Sequence, residues 1–81
     1  MHPNRIKLYA AARVAMPSCY MLRSGTDATG GCWVIAEPDD RLRRSRPHAQ
    51  SFFVIGLCED NLRPRVIEQM VEKLVHLCPV L

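Results

Sequence analysis

Apolar and polar positions mark five stretches along the chain. In residues 5–16, RIKLYAAARVAM, every even position is apolar, from Ile6 and Leu8 through Ala10, Ala12 and Val14 to Met16. Arg5, Lys7, Tyr9 and Arg13 take odd positions. This alternation predicts a strand with one buried face. The alanine run favours a helix by propensity alone, so the strand is the expected form and a helix over 5–16 is its alternative. Met16-Pro17-Ser18 ends the segment, because proline has no ladder donor and pushes its predecessor away from helical geometry. Residues 19–24, CYMLRS, and 32–37, CWVIAE, read as two more strands, separated by the glycine-bearing turn GTDATGG. Residues 51–58, SFFVIGLC, have no polar side chain from Phe52 to Cys58, which predicts a central strand covered on both faces.

The fifth stretch is a helix. Leu62, Val66, Met70 and Leu74, flanked by Ile67, Val71 and Val75, make one wide apolar stripe, with Arg65, Glu68, Glu72 and Lys73 largely outside it. Asn61 is a suitable cap, Pro64 falls in the first turn, Glu59 and Asp60 stand at the positive end of the dipole, and Pro79 stops the helix.

These elements predict an α+β fold: a small antiparallel sheet of four strands with one C-terminal amphipathic helix on one face. One helix cannot cover both faces of a sheet. A strand apolar on both sides therefore implies that the second face is covered by a second copy or by a partner. With residues 5–16 helical the order becomes α-β-β-β-α, and the first helix either covers the second face or shares the first. That order is also the order of double-stranded-RNA-binding domains. Those domains carry a lysine cluster at the start of the last helix, where this chain reads NLRPR, and no family resemblance is claimed.

Composition narrows the picture. The 81 residues are 48% apolar and 23% charged, which is globular rather than disordered composition. One domain spanning residues 1–81 is the expected organisation, with residues 38–50 as a long basic loop. A domain this small buries only about 60% of its unfolded surface, so a homodimer or a complex is expected to support it. No apolar run approaches the roughly 18 residues of a membrane span, and no clean signal peptide is present, since Arg13 interrupts the early apolar stretch. A cytoplasmic location, with no membrane partner, is the expectation. The four cysteines lack the close spacing of a zinc grip and are expected as free, buried thiols that behave as small hydrophobes.

The chain carries eleven basic against eight acidic residues, a formal charge of +3, and nine of the eleven are arginine. Arg41, Arg43, Arg44 and Arg46 crowd into EPDDRLRRSRPH, residues 37–48, together with His48. Guanidinium forks match phosphate and carboxylate geometry. The acids Glu37, Asp39 and Asp40 precede them, however, leaving residues 37–46 a net charge of only +1. In the strand reading, Lys7, Tyr9 and Arg13 project from one sheet face and form a second basic surface with an aromatic. His48 near Ser45 and Ser51 lacks the orienting acid and oxyanion site that a nucleophile needs, and Gly30-Gly31 leads into a strand rather than a helix. No catalytic, metal or cofactor site is expected.

The function expected from these features is non-enzymatic binding of a larger protein or nucleoprotein, with inhibition as one form of it. The contacts are the arginine-rich segment and an uncovered sheet face. Compact, arginine-rich single domains are common among accessory and inhibitor proteins of mobile genetic elements, and a role of that kind is the expectation drawn from size and charge rather than from a motif. The alternative is direct RNA or DNA binding through the same arginines.

Overall fold

The computed structural model describes residues 2–80. Residues 5–15 are helical, as part of α1 (Pro3–Ala15) with Met16 as its C-cap, so the expected first strand is corrected to its alternative. Every-second-residue spacing is also the sum of two rows spaced four apart, and an i, i+4 row is one face of a helix. Leu8, Ala12 and Met16 form the buried row; Ile6, Ala10 and Val14 form the exposed one, with Val14 89% exposed. His2 caps the helix by accepting from the Asn4 N–H at 3.1 Å, Pro3 sits in the first turn, and the Met16 N–H closes the other end on the Ala12 carbonyl.

Three strands follow: β1 (Tyr20–Thr26), β2 (Gly31–Pro38) and β3 (Phe52–Cys58). They form one antiparallel sheet in the order β1-β2-β3, three strands where four were expected. The β1–β2 turn is organised by Asp27, whose Oδ1 accepts from the Thr29 N–H, the Thr29 hydroxyl and the Gly31 N–H at 2.7–2.9 Å. Gly30 completes the turn at φ +85°, a conformation costly for residues with a Cβ.

SFFVIGLC is not the central strand. A meander places its middle member at the centre, and that member is β2, so β3 lies at an edge. Between β2 and β3 a short helix, α2 (Asp40–Ser45), replaces part of the expected 38–50 loop. Asp39 caps it, accepting from the Leu42 N–H at 2.9 Å. Asp39 and Asp40 at its start and Arg43 and Arg44 in its last turn suit the dipole. Leu42 pins it to the core.

After a 3₁₀ turn at Glu59–Asn61, α3 (Pro64–Leu77) begins two residues later than the Asn61 cap predicts, with Arg63 at the cap position. Asn61 instead donates its amide to Cys58 Sγ at 3.1 Å. The apolar stripe is as read, with Ile67, Met70 and Leu74 buried and Val66, Val71 and Val75 packed beside them.

Both helices lie on the same sheet face. α1 packs on β1, α3 on β3, and the two helices touch each other. Tyr20, Leu22, Val34, Ala36 and Val54 point into the shared core. Leu8 and Leu74 are fully buried, each worth about 1.5–3 kcal/mol relative to exposure. Gly56 lets Met70 lie against β3, since a Cβ there would collide with the Met70 sulfur. The cysteines are free thiols, but only Cys32 and Cys78 are buried; Cys19 is half-buried and Cys58 exposed, which corrects the expectation of four buried ones.

Candidate functional site

With α1 and α3 on one side, the odd-numbered residues of β1, of β2 and of β3 as far as Ile55 form the open side; beyond Ile55 the register of β3 shifts, and Cys58 rather than Leu57 stands opposite Gly31. Met21, Trp33, Ile35, Phe53 and Ile55 are its apolar members. Met21, Phe53 and Ile55 are each 53–57% exposed. The register gathers them: Trp33 stands opposite Ile55, Ile35 opposite Phe53, and Arg23 opposite Ile35. Trp33 lies flat across its β1 partner Gly25, where any Cβ would strike the indole ring. The charges on this side are Arg23 and Glu37, paired with each other at 2.7 Å from Nε to Oε1. The face is thus apolar and neutral. A patch of this size on a small domain marks an interaction surface. β3 also presents its outer edge beside α3 with no proline or charged residue between Phe52 and Cys58, although natural sheets commonly guard such edges.

The arginine segment divides. Arg41 is occupied by Asp39 (Nη2 to Oδ2, 3.0 Å) and reaches the Ser18 carbonyl at 3.4 Å. Arg43, Arg44 and Arg46 form no ion pair among the described residues. The Arg46 N–H closes α2 on the Leu42 carbonyl at 2.7 Å. His48 lies in the connection to β3, lining with Arg46, Phe52 and Leu77 a shallow cleft of about 500 Å³. Asp39 has its carboxyl held below the ordinary aspartate range, first by the Leu42 N–H and then by Arg41.

The other three candidates are not on a sheet face, because the segment that carries them is a helix. Lys7 lines a groove of about 700 Å³ between α1 and α3, facing Glu68, Glu72 and Val75. Tyr9 lies on the outer side of α1 near Ile6, Arg23 and Ser24. Arg13 is turned inward, donating to the carbonyls of Tyr20 (2.7 Å), Pro17 (2.7 Å) and Met16 (3.3 Å). It ties the end of α1 to the start of β1. The structure therefore brings Arg46 and His48 to one cleft and places Lys7, Tyr9 and Arg13 on three different sides of α1.

Sequence reasoning named an open face but assigned it the wrong side chains. The residues that form it carry a readable signal: Trp33, Ile35, Phe53 and Ile55 alternate with core residues that are also apolar. Strands apolar at both parities are either covered on two sides or waiting to be.

The described residues contain no group of three or more His, Cys, Asp or Glu placed to hold a metal. Two buried groups are notable. The Cys32 thiol is pushed up in pKa by burial and then by the charge of Glu59. The Tyr20 hydroxyl is buried without a hydrogen-bond partner among the described residues, and burial raises its pKa, with Cys78 adding to the effect. No helix among the described residues is long and apolar enough to cross a membrane. No protein-family model, curated protein or solved structure matches this chain.

Proposed function

We propose that this is a non-enzymatic interaction protein that acts in the cytoplasm, docking protein surface on its open sheet face and holding a larger, acidic protein or nucleoprotein partner with the arginines of α2. The observation that carries the reading is the open face itself: five apolar side chains, with Arg23 and Glu37 neutralising each other. Interface cores are depleted in charge and enriched in aromatics and Met, and this face matches that composition. Single-stranded nucleic acid binds sheet faces that combine stacking aromatics with unpaired basic groups; the only basic side chain here is already paired. Inhibition of the bound partner, as in mobile-element accessory proteins, is the form of action that the size and charge favour.

Arg43, Arg44 and Arg46, unpaired among the described residues, favour a second reading in which the anionic ligand of α2 is RNA or DNA. One experiment separates the two. Wild type, Phe53→Lys and the double variant Arg43→Ala/Arg44→Ala are used as baits in extract of the native host, and each is titrated with duplex and single-stranded oligonucleotides. The protein-partner reading expects a defined partner on wild type, lost from the double variant, and no oligonucleotide affinity at low salt. Since Arg43 and Arg44 are exposed, their replacement changes folding stability by no more than about 0.5 kcal/mol. A tight oligonucleotide complex whose log K falls with log salt, by about 0.9 per phosphate neutralised, would replace it with the nucleic-acid reading.

A further inference from the structure

We infer that the protein surface seated on the open sheet face is a second copy of this chain, packed face to face so that two three-stranded sheets form the inner layers of a four-layer dimer with the helices outside. The inference rests on the docking reading above and names the occupant.

Charge selects a second copy. The molecule carries +3 overall, so most ways of bringing two copies together set like charges against each other. The open face is the exception, because Arg23 and Glu37 cancel at 2.7 Å. Two such faces meet without net repulsion. A larger basic or acidic partner gains nothing electrostatically from a neutral face, and the arginines of α2 lie elsewhere to serve one.

Area is sufficient. The half-exposed Met21, Phe53 and Ile55, with the uncovered parts of Trp33, Ile35, Arg23 and Glu37, offer roughly 500 Å² per copy. Two copies then bury about 1,000 Å², the least that a biological interface clears. Geometry agrees as well. The Trp33 ring lies down on Gly25 rather than standing out of the sheet, which leaves a level surface for a second sheet at the usual spacing of about 10 Å. A two-fold axis running across the strands sets β2 on β2 and β3 on β3, bringing Trp33 and Ile35 into the centre with Phe53 and Ile55 beside them and leaving Arg23 at the β1 rim. Pairing through the free β3 edge would instead extend the sheet and double the exposed apolar face, so it does not answer what the face requires.

The test is sedimentation equilibrium on full-length wild type, Ile55→Lys, Phe53→Glu and Arg43→Ala/Arg44→Ala, with thermal melts of each and binding of anilinonaphthalene sulfonate as a probe of open apolar surface. Wild type is expected at about twice the 9.2 kDa chain mass, with low dye binding. Each face variant is expected to melt cooperatively and to dimerise at least about a hundredfold more weakly, because it buries an unpaired charge. The arginine variant stays dimeric. Wild type that is monomeric throughout the accessible concentration range overturns the inference, as does a dimer that the folded face variants leave intact. In either case the dye reports on the broader reading. Strong dye binding that the face substitutions abolish leaves an open docking face whose occupant is not this chain, whereas weak binding in all forms overturns the docking reading too.

Discussion

Tyr20 concentrates the packing compromises of the core. Its ring meets Phe52 edge-on at 5.3 Å, a favourable geometry, yet its hydroxyl is enclosed beside the Cys78 thiol with no hydrogen-bond partner among the described residues. An unpaired buried polar group costs on the order of 1–3 kcal/mol. Tyr20→Phe keeps the ring and removes the liability, so urea denaturation is expected to show a gain of about 1 kcal/mol; a loss of that size would reveal a bond the hydroxyl makes. Asp27 and Asp39 are the opposite case, polar groups at the surface that organise backbone. Both have carboxyls held below their ordinary range, Asp27 chiefly by the Thr29 hydroxyl and the Gly31 N–H, Asp39 chiefly by the Leu42 N–H. A carboxylate with a lowered folded pKa contributes stability that is complete above its unfolded value and is lost as pH falls through the folded one. Stability is therefore expected to drop below about pH 4, and the drop should be shallower in Asp27→Asn/Asp39→Asn, as measured by denaturation at stepped pH. At this scale the sequence was a partial guide. The turn chemistry of Asp27 lay within a segment already marked by its glycines. The inward fate of Arg13 was invisible, because it depends on carbonyls of Met16, Pro17 and Tyr20 that only the folded chain turns towards it.

The elements show why one period can hide another. The alternation in residues 5–16 fits a strand, but its buried subset Leu8, Ala12 and Met16 is a helical row, and the alanine run supplied the propensity. A pattern with apolar residues on both rows does not choose by itself. α3 was legible because its polar face interrupts the stripe at helical spacing. Leu74 is fully buried while Val71 is only half-buried. Leu74→Asp is therefore expected to abolish cooperative unfolding, and Val71→Asp, which can turn its carboxylate into the groove between the helices, to leave a folded protein with a lowered melting temperature. Equal damage from both would contradict the orientation of the helix. α2 went unseen because six residues hold too little periodicity to read, although Asp39 and Asp40 ahead of Arg43 and Arg44 are the charges a short helix wants at its ends. Gly25 makes its own forecast. Gly25→Val drives the Trp33 ring off β1 and should shift and broaden tryptophan emission while the helical circular dichroism stays in place. An unchanged emission spectrum would mean that the ring does not rest there.

At the scale of the whole molecule, the two helices share one side of the sheet, and the other side is left apolar and neutral. The composition of β2 and β3 announced this, since side chains of both parities are apolar. The strand pattern could not say whether the second side would be sealed by the chain's own first helix, because that depends on the path of the connection at Met16–Cys19 and on the Arg13 clamp. The extents of 39 × 23 × 18 Å describe an elongated body, and stacking two such bodies through their open faces makes it thicker and buries what is now exposed. Trp33, the sole tryptophan of the chain, sits in the middle of that face and reports on it directly. Quenching of its fluorescence by acrylamide, followed across a dilution series from high to low protein concentration, is expected to be weak in the concentrated protein and to strengthen on dilution as the ring is uncovered. Strong quenching that is the same at every concentration would contradict the account.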